Sequence, residues 1–300
     1  MSPSPVAAAL VNDYVLSFLL GVIEGLTEFL PVSSTAHLRI AEAAFGVNLA
    51  DGYWKMYSIV IQLGAILSLP FYFRKRISGF LAEFPRGPRG DRTWLTHPLG
   101  LTMVAFVCTA VPSLLSTKII GKHLESLALM AWALTAGGVV MWMVDAWSER
   151  HAPSTHRMDD MSLGQAAWIG VCQVLAAVFP GVSRSMATIS AGQTAGMTRE
   201  AALEFSFFLS IPTMAAATGY DFLKALKAGS GAGEAHLGSF AMDAHGWIVL
   251  GIGFVVSFLV ALASVAWFMR WVRKHGFVPF AVYRIAGGIL VLSWVWTASS

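Results

Sequence analysis

The chain has 300 residues, of which 56% are hydrophobic and only 12% charged, whereas charged residues make up about a quarter of a soluble domain. That balance excludes an ordinary soluble domain and describes an integral membrane protein. The formal charge of +3 is small, and Lys and Arg collect in a few loops rather than along one face, so nucleic acid is not an expected partner.

In chain order, the N-terminal stretch Met1 to Asp13 lacks the basic start and short apolar core of a secretory signal, so the first hydrophobic run is expected to stay in the mature protein. Six runs are long enough to cross a hydrocarbon core as helices, at about 54–73, 97–116, 127–147, 201–223, 247–269 and 279–297. Two further hydrophobic pieces, 14–45 and 164–197, are interrupted near the middle by Pro31-Val32-Ser33-Ser34 and Pro180-Gly181-Val182-Ser183. Each reads as two half-helices joined by a turn. Irregular backbone at membrane depth survives only when enclosed by protein or lining a wet cavity, so both pieces are expected to be re-entrant hairpins with their tips inside the bundle.

Basic residues crowd the connections around Arg74 to Arg92, Arg150 to Arg157 and Arg270 to Lys274, which the positive-inside rule places in the cytoplasm. The connection 229–246 has no Lys or Arg and is expected outside and flexible; Lys118 and Lys122 go against the scheme. With three spans between them, the hairpins dip into the membrane from opposite sides. The expected fold class is an all-α integral membrane protein, six transmembrane helices plus two re-entrant helical hairpins in inverted-topology repeats. It forms one membrane domain over 1–300, with repeat one at about 14–147 and repeat two at about 164–297. Cys108 and Cys172 lie in apolar segments of different halves and read as packed thiols.

The first hairpin, Val22 to Arg39, carries Glu24, Glu28, Ser33, Ser34, Thr35 and His37. Ionisable groups at membrane depth cost roughly 2.5–3.5 kcal/mol each on insertion scales, so such a concentration marks a functional site. The second hairpin, Gly170 to Met186, sets Gln173 against Glu24, Pro180 against Pro31 and, after one inserted residue, Ser183-Arg184-Ser185 against Ser33-Ser34-Thr35. Interrupted helices in inverted repeats meet near the midplane. After each proline the second half-helix offers free backbone N–H groups and its positive end to the tip, and Arg184 adds a planar cation suited to phosphate oxygens. The serines read either as N-caps or as substrate contacts. Glu24 and Glu28, four apart on one helix face, suit a divalent metal or acid–base work, and His37 a proton-transfer group or a nucleophile. Asp145 and Glu204 are expected near span ends within reach of solvent, and Arg39 and Arg74 to Arg76 as snorkelling cations. Arg284, deep in the last run, reads as support for the site or a lipid-phosphate contact.

EGLTEFLPVSSTAH at 24–37 and PGVSRSMATIS at 180–190 resemble the two signature regions of the undecaprenyl-diphosphatase, or bacitracin-resistance, family; VIQLGAI at 60–66, ALEFSFFLSIP at 202–212 and VPFAVYR at 278–284 are similar to further family segments. The resemblance implies a bacterial inner-membrane hydrolase that turns undecaprenyl diphosphate into the monophosphate carrier of cell-wall synthesis, with a site facing the periplasm. It implies Glu28, Ser34, His37 and Arg184 as catalytic residues, Ser33, Thr35, Ser183, Ser185 and Thr188 with Arg184 as substrate contacts, and Glu24 with Glu28 as ligands of a divalent cation, Mg2+ or Ca2+. Expected partners are the polyprenyl diphosphate and membrane lipids, with a second copy in a homodimer. Ala36 and Met186 stand where the family usually has glycine; Met186 adds bulk beside Arg184 and is expected to narrow the pocket or alter lipid preference. The nucleophile stays open among Ser34, His37 and water. A polyprenyl-phosphate flippase, built from the same inverted repeats, is the alternative.

Overall fold

The computed structural model describes residues 12–47, 52–116, 126–228 and 243–299. The expected flexible connection therefore falls almost entirely outside the described residues, as do Lys118, Lys122 and the first eleven positions. Among the described residues there are eleven α-helices and no strand. They are α1 (Asp13–Thr27), α2 (Ser34–Ala44), α3 (Gly52–Tyr72), α4 (Arg74–Glu83), α5 (Pro98–Leu115), α6 (Leu127–Glu149), α7 (Leu163–Val178), α8 (Arg184–Thr194), α9 (Arg199–Ala228), α10 (Ala244–Trp271) and α11 (Val278–Ser299).

Five of these helices, α5, α6, α9, α10 and α11, are long and apolar enough to span a membrane. A sixth candidate is α3 taken with α4, which bend through 64° at their junction. The two proline-interrupted pieces form the short pairs α1–α2 and α7–α8. With 15 and 11 residues in the first pair and 16 and 11 in the second, the halves reach about 16–24 Å, short of a core of roughly 30 Å. Local sequence sets their ends. Asn12 caps α1 through Oδ1 on the Tyr14 N–H, Ser162 and Gln165 form a reciprocal capping box on α7, and Pro31 and Pro180 lie in the turns.

Each short pair is followed by longer helices, and the two sets interlock: α1 packs on α10, α7 on α5, α3 on α9 and α6 on α11. Apolar solvation gives helices no reason to associate inside lipid, so close backbone approach has to do it. Gly25 shows how tight the contact is: a Cβ there would lie 2.7 Å from Ser257 O and 2.8 Å from Ala261 N of α10. Helix α9 is the most enclosed span and carries the aromatic core. Phe29, which follows Glu28, is fully buried edge-on against Phe207, with ring centroids 5.7 Å apart, and this contact anchors the first tip.

Several charged residues sit differently from expectation. Asp145 is not near solvent: it is fully buried and accepts from Arg199 Nε at 2.7 Å, Gln193 Nε2 at 3.0 Å and Phe277 N at 2.8 Å. A carboxylate with three donors has no need of water, and here it joins α6, α8 and α9 to the start of α11. Arg76 does not snorkel either; it bridges Glu204 at 2.7 Å and Asp159 at 2.8 Å, fastening α4 beneath α9. Arg39 pairs with buried Glu42 at 3.1 Å. Both cysteines are free thiols.

Candidate active site

The tips of the two hairpins meet, and they do so through the residues that interrupt the helices. Ser33 and Ser183, the residues just before α2 and α8, have φ of 73° and 71° and are the non-glycine residues at positive φ among those described. This region costs a residue with a Cβ about 1–3 kcal/mol and persists only when the surroundings enforce it. Gly181, at φ 95°, takes up the extra residue of the second turn, where a Cβ would strike Met130 O at 2.6 Å.

From the strained serines, each second half-helix starts at the tip and faces the other hairpin. Ser185 Oγ donates to Leu30 O at 2.9 Å, and Arg184 reaches back to Glu28, Nη2 to Oε1 at 3.3 Å. Ser34, the first residue of α2, donates its hydroxyl to Glu28 Oε2. A chain therefore runs Ser34, Glu28, Arg184 across the junction of the two tips. On its far side Arg184 donates to Ser210 Oγ, and Ser210 donates to Ser206 O at 2.6 Å. The guanidinium also lies over the Phe29 ring, 5.9 Å from its centroid. Charge, hydroxyls and ring together fix the orientation of Arg184.

Ser33 makes no side-chain cap bond, whereas Ser183 Oγ accepts from Met186 N at 3.4 Å and lies 3.1 Å from Ser185 Oγ. Thr35 is exposed. Thr188 is fully buried, sharing a 2.7 Å hydrogen bond with Ser206 and bonded back to Arg184 O at 3.0 Å, so it braces α8 against α9 behind the arginine. Met186 is buried in the core, near Gly137, with its sulfur accepting from Ser190 Oγ. Ala36 is fully buried against Met130 and Leu134.

His37 turns away from Ser34. Its Nδ1 lies 2.8 Å from Ser33 O and its Nε2 2.7 Å from the Tyr283 hydroxyl, with the two rings stacked at 5.6 Å. Because a carbonyl only accepts, Nδ1 carries the proton, and in the neutral ring Nε2 accepts from Tyr283 O–H. Sequence reasoning missed Tyr283, Ser206 and Ser210 as site neighbours. The two serines had a signal, hydroxyls four residues apart on one face of an apolar helix; Tyr283 had only its place beside Arg284.

Glu24 is 1% exposed, its carboxyl faces that of Glu28, and among the described residues no N–H or O–H group donates to either of its oxygens. Glu28 has Ser34 and Arg184 as donors, but Glu24, buried beside it with none, calls for positive charge, as a bound cation or a proton shared with Glu28. A divalent cation fits this pair. No cluster of three or more His, Cys, Asp or Glu stands ready to cage a metal among the described residues, so phosphate oxygens and water would complete its shell, the habit of Mg2+.

A permanent cation held in place, hydroxyls at two helix starts and a carboxyl pair, enclosed by spanning helices, define a multi-pass membrane protein equipped for phosphate chemistry. The chain belongs to the family described as bacitracin resistance protein BacA, whose model matches residues 17–290. It is 66% identical over 285 residues to the undecaprenyl-diphosphatase of Koribacter versatilis, covering 95% of this chain and 99% of that one. It is 40% identical over 279 residues to the undecaprenyl-diphosphatase of a Thermoanaerobacter species, covering 93% and 95%. Against that of Novosphingobium aromaticivorans it is 40% identical over 289 residues, covering 95% and 99%.

Proposed function

We infer that the chain hydrolyses undecaprenyl diphosphate to undecaprenyl phosphate and inorganic phosphate, recycling the lipid carrier of cell-wall synthesis. Bacitracin resistance follows from removal of the diphosphate. The observation that carries the chemical route is the Ser34–Glu28–Arg184 chain across the two tips.

In this reading the helix starts at Ser34 and Arg184 and the Arg184 guanidinium hold the diphosphate. Glu28 takes the Ser34 proton as the serine oxygen bonds to the terminal phosphorus and the bond to the bridging oxygen breaks. Undecaprenyl phosphate departs, and water then attacks the phosphoserine, releasing phosphate and restoring Ser34. His37, engaged by Tyr283 and Ser33, shapes the wall of the site rather than serving Ser34 as base. Ser33, Ser183 and Ser185 offer further hydroxyls or backbone N–H groups, and Thr35 lines the exposed side.

Arg184 offsets one of the two carboxylates, and the other has no counter-ion among the described residues. Glu24 and Glu28 would hold a divalent cation, Mg2+ or Ca2+, which would supply charge neutralisation for the phosphate oxygens. The site is proposed to open to the periplasmic side of the inner membrane, and the protein to pair as a homodimer. Labelling of a cysteine placed at Thr35 in intact cells reads the first, and light scattering of the detergent complex the second.

The test is phosphate release from undecaprenyl diphosphate by detergent-purified protein, with and without chelator. Full activity in metal, loss with chelator, and loss on Ser34→Ala and Arg184→Ala are expected. Undiminished release from folded Ser34→Ala overturns the serine route. Absence of release from folded wild type across metals and pH overturns the hydrolase and returns the flippase to the front.

A further inference from the structure

Arg284 sits on α11 one residue beyond Tyr283, is 1% exposed, and no carboxylate lies within ion-pair distance of it among the described residues. A buried guanidinium without a counter-ion is expensive, and an apolar side chain would fill the same volume at lower cost. What it touches explains its presence. Nη1 donates to Pro31 O at 3.0 Å; Nη2 donates to Gly181 O at 3.1 Å, Val182 O at 3.0 Å and Ala133 O at 3.2 Å.

These carbonyls belong to the turn of each hairpin and to α6. Pro31 is two residues before Ser33, and Val182 immediately precedes Ser183, so the acceptors flank the two serines at positive φ. We propose that Arg284 is a positioning residue that clamps both hairpin tips in register, one guanidinium nitrogen to each, and so holds the strained turns that present Ser34 and Arg184 to substrate. The inference rests on the hydrolase reading for its kinetic consequence, although the clamp itself is a matter of geometry.

The planar fork matters as much as the charge. Its two nitrogens are rigidly spaced and each serves a different hairpin, whereas a lysine offers one point donor. Room for the fork comes from Gly137 on α6: a Cβ there would collide with Arg284 Nη2 and lie 3.2 Å from its Cζ. Gly137→Ala therefore disturbs the clamp without removing a polar group.

The experiment uses the full chain in detergent: wild type, Arg284→Lys, Arg284→Met, Gly137→Ala and the double variant Gly137→Ala with Arg284→Met. Misplacement of reacting groups by about an ångström costs on the order of a hundredfold. Both Arg284 variants are expected to lose roughly 30- to 100-fold in kcat with KM within about threefold, while eluting as folded protein. Gly137→Ala is expected to cost about tenfold in wild type and less than twofold once Arg284 is methionine, the non-additivity of one shared contact. The same non-additivity is expected in melting temperature, which separates the clamp from the enzyme: wild type that releases no phosphate refutes the hydrolase, and the melting cycle still judges the clamp. Arg284→Lys or Arg284→Met with kcat within threefold of wild type overturns the proposal, and so do additive effects of the two substitutions. Should the methionine variant not fold, Gly137→Ala decides alone, a tenfold fall in kcat supporting the clamp and an unchanged kcat overturning it.

Discussion

Glu28→Gln tests the centre of the catalytic reading with a nearly isosteric change. In the native site one carboxylate oxygen accepts from Ser34 and the other from Arg184. A glutamine side chain has one oxygen and an NH2 group that only donates, so either Ser34 or Arg184 must lose its acceptor. Losing a hydrogen bond to a charged group costs roughly 1.5–3 kcal/mol, and removal of a general base costs on the order of 10²–10⁴ in rate, about 3–5 kcal/mol of barrier. The expected result is a kcat lowered 10²- to 10⁴-fold with the fold intact, since the volume is kept and Phe29 still anchors the tip. Steady-state phosphate release from undecaprenyl diphosphate, with elution profile and melting temperature as controls, is the assay. His37→Asn, run beside it, should lose far less, because His37 is bonded to Tyr283 and Ser33 and not to Ser34. Glu28→Gln within tenfold of wild type, with His37→Asn inactive, would refute the reasoning and move the base to His37.

Three further outcomes follow from the packing and the caps. Ser183→Gly removes the strain of a Cβ at positive φ and should stabilise the protein by about 1 kcal/mol, seen as a higher melting temperature, while lowering phosphate release because the hydroxyl beside Ser185 is gone. A lower melting temperature would contradict the strain assignment. Gly25→Ala forces a methyl onto Ser257 O and Ala261 N, backbone atoms that cannot step aside, and should cost about 1–3 kcal/mol of stability along with activity, since α1 carries Glu24 and leads directly into Glu28. An unchanged melting midpoint would contradict the contact. His97 caps α5 through Nδ1, which accepts from Leu99 N at 3.2 Å and can do so only unprotonated. Burial, with the nearby Arg92 charge, pushes its imidazole below the usual histidine range. The unfolded chain then takes up that proton first, so stability is full above about pH 6.5 and falls as pH drops below it. Melting temperature against pH reads this, and His97→Asn should flatten that part of the curve.

The proposed clamp, the Ser34–Glu28–Arg184 chain and the strained serines share one physical logic. Inside lipid, an open turn is tolerated only when protein satisfies its carbonyls and N–H groups. Here the carbonyls of Pro31, Gly181 and Val182 are satisfied by Arg284, and Leu30 O by Ser185. The groups that make the interruptions tolerable thus also bear on Ser34 and Arg184, the residues proposed to act on substrate.

Much of this was legible in the amino-acid order. Spans of apolar residues, two proline-interrupted pieces, and the concentration of Glu24, Glu28, Ser34, His37 and Arg184 at their tips all follow from local chemistry, because helix length, proline and the cost of charge in lipid act on residues near one another in sequence. Tertiary structure alone decided the partners. Whether Ser34 meets Glu28 or His37, whether Asp145 sees water or three donors, and whether Met186 enters the pocket or the core depend on which helix faces which. For Asp145, Arg184 and Arg284 those choices are made by contacts between segments 48 to 253 residues apart, from Asp145 with Gln193 to Arg184 with Glu28 and Arg284 with Pro31. Sequence pattern records that a side chain is polar and at membrane depth; only the packing of α11 and α9 against both hairpins determines what that side chain is for.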